Sequence, residues 1–188
     1  VSIEVEKAVK KLGINYRVST KVESANKVGD KVRLVVSSEG KTEEIDAQKV
    51  LVAISVKPNS ENLGLESLGV IMTRGAIDVN DQMQTNVPGI YAIGDVTMKL
   101  PLAHVASHQG VIAAETIAGK ETRALNLNNV PRCTYCAPQV ASLGLTEAQA
   151  KEQGLDYRVG KFPFRANGKA LGINEYEGFV KLIVDKKY

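Results

Sequence analysis

The chain has 188 residues, of which 44% are apolar and 24% charged, enough for a sizeable core in one or two domains. A formal charge of +3, spread evenly, argues against nucleic acid or a membrane surface as a partner, as does the lack of any basic run interleaved with aromatics. No signal peptide and no apolar stretch of spanning length occurs.

In chain order, Val5, Ala8, Val9 and Leu12 follow the i, i+3, i+4, i+7 spacing of an amphipathic helix, with Gly13 placed to cap it. Residues 16–27 and 31–37 are two β-rich runs joined through Val28-Gly29-Asp30, a hairpin signal. A short strand around 43–45 and the apolar run 50–54 complete a small sheet in this reading. Residues 61–77, broken by Gly64, Gly69 and Gly75, read as a linker with room for a short helix near Leu65.

The stretch Thr85-Asn86-Val87-Pro88-Gly89-Ile90-Tyr91-Ala92-Ile93-Gly94-Asp95 is the most informative. An apolar run, 90–93, ends abruptly in Gly-Asp, which predicts a buried strand that delivers one carboxylate to the rim of a sheet. Ligands bind in that crevice in open α/β sheets, and a carboxylate there suits the hydroxyls of a ribose or ribitol. A bland turn is the competing reading. Pro101, Leu102, Ala103 and His104 then lead into a stretch of helical length ending at Gly119. A helix starting there directs free backbone N–H groups, and the positive end of its dipole, toward a bound anion.

Residues 120–129 are polar and turn-rich and mark a boundary. Beyond them, Thr146-Glu147-Ala148-Gln149 is a capping box, Gly154 closes the short helix it opens, and residues 178–185 read as a strand. Cys133-Thr134-Tyr135-Cys136 has the spacing of a redox or metal site, and His104 and His108 have that of two ligands on one helix face. Against zinc or a reactive disulfide, Cys133 leads into a predicted strand rather than a helix N-terminus. Zinc, a disulfide, and buried or incidental thiols stand as alternatives, and no metal ligand is assigned.

Four stretches in order carry a resemblance: residues 85–95; Leu102-Ala103-His104-Val105-Ala106-Ser107-His108-Gln109-Gly110; Gln139-Val140-Ala141-Ser142-Leu143-Gly144-Leu145-Thr146-Glu147; and Lys161-Phe162-Pro163-Phe164-Arg165-Ala166-Asn167-Gly168-Lys169-Ala170-Leu171. The chain resembles the pyridine nucleotide-disulfide oxidoreductases, two-dinucleotide flavoproteins, and within them most closely the branch that oxidises dihydrolipoyl groups. The likeness implies an α/β fold, FAD and NAD as cofactors, a homodimer, a lipoyl-bearing protein or lipoamide as substrate, and a cytoplasmic or mitochondrial-matrix enzyme. It also implies that Asp95 receives a ribitol hydroxyl of FAD and that Pro101, Leu102, Ala103 and His104 line the isoalloxazine. Val22 would lie near the adenosine pocket of NAD, although Thr20-Lys21-Val22-Glu23 also reads as an ordinary strand.

The resemblance implies a division into the later part of an NAD-binding domain (1–55), a returning segment of the FAD-binding domain (56–128) and the first half of an α+β interface domain (129–188). The family's glycine fingerprints, its redox cysteine pair and its His-Pro base segment are not found, so the chain is expected to be an internal fragment, inactive alone. The alternative is a non-catalytic folding or dimerisation unit, with Cys133 and Cys136 as a metal site. Relatives usually carry Gly where Ser55 stands and Arg where Val56 stands. These departures replace bare backbone with a side chain and a charged donor with an apolar one, at a close approach to the nucleotide.

Overall fold

The computed structural model describes residues 1–187. The fold is mixed α/β, with helices α1 (Ser2–Lys11), α2 (Ala103–Ile117), α3 (Glu147–Glu152) and α4 (Gly168–Gly172). Its strands are β1 (Lys21–Val28), β2 (Lys31–Ser38), β3 (Lys41–Ala47), β4 (Met72–Thr73), β5 (Ala76–Ile77), β6 (Arg132–Thr134), β7 (Val140–Ser142), β8 (Tyr157–Pro163) and β9 (Phe179–Asp185). The chain divides into two compact units, one of Val1–Ile54, Tyr135–Val140 and Lys161–Lys181, the other of Ser55–Thr134, Ala141–Gly160 and Leu182–Tyr188.

In the first unit β1, β2 and β3 form an antiparallel meander. Its first turn is two residues long, and Gly29 at the first central position has φ +60, the left-handed backbone such turns need. A bulge between Val22 and Ser24 leaves Glu23 without a register partner. Val36 is the buried residue of β2. Charged pairs fasten the edges: Arg17 donates two bonds to Glu43, at 2.6 and 2.8 Å, and Arg33 donates two to Asp46, at 2.8 and 3.1 Å.

In the second unit, Val70, Ile77 and Ala92 form one buried cluster, with Leu65, Met72, Val87 and Ile90 packed on it. Met83, Ile112 and Ala113 form another, joined by Tyr91 and Leu125, and Val79 packs against both. Side chains close the loops around the first cluster. The buried Ser60 hydroxyl donates to the Gly75 carbonyl, while Asn86 accepts from the Ile71 N–H at 2.8 Å and donates to the Gly69 carbonyl at 2.8 Å. The capping box at Thr146 and Gln149 is present as read, and α4 opens on an Asn167 cap. Helix α2 runs as expected, with Gly119 at φ +71 beyond its end.

Several expectations are corrected. Residues 16–20 stay outside β1, which begins at Lys21. Residues 50–54 form no strand: Leu51 and Ile54 are 89% and 86% exposed, because no described strand lies alongside to turn an apolar run into a ladder. The run 90–93 is likewise no buried strand. It is the return arm of a tight hairpin, in which Ala92 donates to Met83 and Thr85 to the Ile90 carbonyl, carrying one isolated bridge from Gln84 to Tyr91. Pro88 and Gly89, the latter at φ +82, make its turn, closed by Ile90 N–H to the Val87 carbonyl. Residues 61–77 hold no helix near Leu65. They hold turns and the β4–β5 hairpin, whose central Arg74 and Gly75 both have positive φ.

Two measurements test this account. Ile77→Ala should lower stability by about 2–3 kcal/mol in denaturant unfolding, since it empties a small buried cluster. The fork from Arg17 holds the Glu43 carboxyl below its ordinary value, and that from Arg33 does the same for Asp46. Because the folded values lie below the unfolded ones, this contribution is full above the unfolded carboxylate range and is lost as pH falls through the folded values. Melting temperature should therefore drop on acidification through that range, by less in Glu43→Gln/Asp46→Asn, and added salt should shrink the difference.

Candidate functional site

The site is built where the hairpin of residues 83–92 runs into Gly94-Asp95 and meets the start of α2. A 3₁₀ turn, Gly94–Thr97, follows Ile93, with Asp95 in its first turn. Gly94 has φ +75, and a β-carbon there would come within 3.2 Å of the Ala106 side chain. Glycine is thus required twice, by the backbone conformation and by the closeness of α2. The bare backbone at Gly94 admits the close approach of α2. On the facing side, a β-carbon at Gly110 would meet Ile93 Cδ1 at 3.4 Å.

One buried amide ties these elements together. The Gly94 N–H donates to Gln109 Oε1 at 2.7 Å, and Gln109 is 1% exposed. Thr97, also buried, donates its hydroxyl to the Gly94 carbonyl at 2.8 Å and accepts from the Lys99 N–H at 3.4 Å. Both backbone polar groups of Gly94 are therefore satisfied by side chains. Asp95, the next residue, is exposed, and among the described residues no donor engages its carboxylate. A free carboxylate on a locked backbone is a ready acceptor for hydroxyl groups.

Helix α2 begins with Leu102 in extended conformation and no side-chain cap. Its first bonds are donated by Val105 and Ala106, both to the Leu102 carbonyl, so the N–H groups of Ala103 and His104 precede the ladder. Pro101 and Leu102 are half-buried, and Ala103 and His104 are exposed. The His104 ring is engaged: Nε2 lies 3.1 Å from the Pro131 carbonyl, which can only accept, so Nε2 carries the proton in this contact.

The remaining expected residues lie elsewhere. Val22 is 56% exposed beside the β1 bulge. Ser55 is exposed with φ +106, a conformation suited to glycine, so the departure at this position is visible as backbone strain. Cys133 and Cys136 are exposed rather than buried and are not joined in a disulfide, and Cys136 Sγ lies 3.0 Å from the Pro138 carbonyl. Among the described residues no group of three or more His, Cys, Asp or Glu side chains is gathered to hold a metal. No described helix is long and apolar enough to cross a membrane.

Sequence reasoning missed Gln109 and Thr97. The signal for Gln109 was present, a polar residue one turn after Ala106 on a helix face otherwise made of small and apolar residues.

Residues 1–110 match a family described as pyridine nucleotide-disulphide oxidoreductase, and residues 130–188 match the dimerisation domain of that family. The chain is 54% identical to a dihydrolipoyl dehydrogenase of Mycobacterium leprae, over 100% of this chain and 41% of the relative. It is 47% identical to one from Corynebacterium glutamicum, again over 100% and 41%. Among solved structures, LpdA of Mycobacterium tuberculosis aligns with a TM-score of 0.87 at 29% identity, over 98% of this chain and 40% of that one. The HOCl-induced flavoprotein disulfide reductase RclA of Escherichia coli aligns with a TM-score of 0.87 at 26% identity, over 100% and 42%. The chain thus spans about two-fifths of the length of these relatives.

Two sets of variants test the geometry. Gly94→Ala should destabilise by about 1–3 kcal/mol through backbone strain, and Gln109→Leu by about 1–3 kcal/mol through an orphaned N–H. The pair should be less than additive, since both break one contact. Ser55→Gly should raise the melting temperature while Ser55→Ala does not, because only glycine relieves φ +106.

Proposed function

Because this chain belongs to the pyridine nucleotide-disulphide oxidoreductase family, we propose that the whole protein is a dihydrolipoyl dehydrogenase that oxidises a dihydrolipoyl dithiol to its disulfide and reduces NAD⁺ through FAD. The identity to enzymes of that name across the entire chain supports the choice among family members. A bound flavin supplies the two-electron link between dithiol and nicotinamide.

The described residues fit the flavin on one observation: the exposed, unengaged carboxylate of Asp95, beside a glycine fixed by Gln109. In this reading Asp95 accepts a hydrogen bond from a ribitol hydroxyl. The N–H groups of Ala103 and His104, at the positive end of α2, face the edge of the ring where negative charge collects on reduction. Pro101 and Leu102 supply an apolar wall, and the His104 ring, held on Pro131, stays in place beside them. Val22 and Ser55 lie on the NAD side, where the strain at Ser55 and the apolar Val56 weaken nucleotide contacts relative to Gly and Arg.

The division into residues 1–55, 56–128 and 129–188 is retained as the NAD, FAD and interface segments. The dimerisation-domain match over 130–188 supports a homodimer. A lipoyl-bearing protein is the partner, and the cytoplasm, or a mitochondrial matrix, the compartment.

Asp95→Ala in the whole protein should raise the FAD dissociation constant about tenfold or more, the loss of one hydrogen bond to a charged acceptor. Flavin absorbance after gel filtration reads it, and undiminished flavin content and affinity would remove the assignment. The chain of 188 residues by itself should produce no NADH from dihydrolipoamide.

A further inference from the structure

We propose that a groove in the first unit, between α1 and the segments 161–165 and 176–179, binds the phosphate chain of a small di- or triphosphate. The groove has a volume of about 390 Å³ and lies away from Asp95 in sequence and in its lining. One wall is the polar stripe Glu4, Lys7 and Lys11, whose i, i+3, i+7 spacing puts them on one face of α1. The other carries Lys161 and Arg165, four apart across Pro163.

Four cations thus face two carboxylates, Glu4 and Glu177. The carboxylates are already taken, Glu4 by Lys7 at 3.1 Å and Glu177 by Lys11 at 2.9 Å. Lys161 and Arg165 instead lie over aromatic rings, Lys161 Nζ at 4.0 Å from the centre of Phe179 and Arg165 at 5.6 Å from that of Tyr176. A ring face orders a long cationic side chain without neutralising it, and although Arg165 also feels the Glu177 carboxylate, the groove keeps an excess of two positive charges for an anion. Gly178, at φ +94, turns the chain between Glu177 and Phe179 and accepts from the Phe164 N–H at 3.1 Å.

Multiplicity of charge selects the ligand class. A single exposed ion pair contributes little, so a monoanion gains too little from two screened cations. A phosphate chain offers several charged oxygens to Lys161 and Arg165 together and can also recruit Lys7 and Lys11, and Arg and Lys are the side chains suited to it. A volume of about 390 Å³ leaves room for a short phosphate chain. The chain could belong to inorganic pyrophosphate or to a nucleotide, and the test separates them.

Isothermal titration of the whole protein, saturated with NAD⁺ to fill dinucleotide sites, with pyrophosphate and with ADP provides the test. Binding of pyrophosphate, weakened about tenfold or more in Lys161→Ala/Arg165→Ala and weakened by salt, is expected. Lys161→Arg/Arg165→Lys, which keeps both charges, should retain binding, and Lys41→Ala, on the meander, should leave it unchanged. ADP binding more tightly than pyrophosphate assigns the nucleotide source, and equal or weaker binding assigns the inorganic one. The proposal fails if neither probe binds at low salt, if binding ignores the groove variants, or if a poly-glutamate peptide binds the groove while pyrophosphate does not.

Discussion

The hydrogen bond from the Gly94 N–H to the buried Gln109 amide, at 2.7 Å, is the contact on which the rest of the site depends. It joins the end of a hairpin to the middle of a helix where a β-carbon at Gly94 would press to 3.2 Å from Ala106. A buried polar side chain is stabilising only when matched, and here the match also fixes the orientation of the peptide that precedes Asp95. The carboxylate is therefore presented by a backbone that does not need it. Thr97 completes the arrangement by holding the Gly94 carbonyl.

The two ends of the backbone register around Gly94 and the start of α2 serve opposite charges. Asp95 offers an acceptor, and the first turn of α2, left without a side-chain cap, offers donors. At α3 and α4 the chain closes such openings itself, with Thr146 and Asn167, whereas α1, like α2, starts without a side-chain cap. In the proposed reading, a ligand with hydroxyls at one end and developing negative charge at the other meets that order of groups.

Local patterns were legible where local physics decides. The stripe at Val5, Ala8 and Val9, the Gly29 turn, the capping box at Thr146 and the long α2 all follow from spacing and cap chemistry within a few residues, whereas Leu12, expected on the same stripe, lies past the end of α1 and is exposed. The runs 50–54 and 90–93 were misread because apolar content marks a strand only where a neighbour pairs with it, and pairing is not written in the run itself. The β4–β5 hairpin was hidden for a related reason, since Arg74 takes a left-handed conformation that its residue type disfavours. Asp95 stood out as a lone carboxylate after an apolar run. Its support did not, because Gln109 acts across a gap of fifteen residues.

The loop between Pro58 and β4 is held by side chains at both ends. Ser60 clasps Gly75, and Asn86 grips Gly69 and Ile71 as a neighbouring strand would. A backbone cut between Glu61 and Gly64 would accordingly leave both new ends sewn to the same small scaffold. The exposed residues 61–64, ahead of Leu65 on the buried cluster, are where the chain can be opened, lengthened or tagged without letting go of the hairpin that carries Asp95.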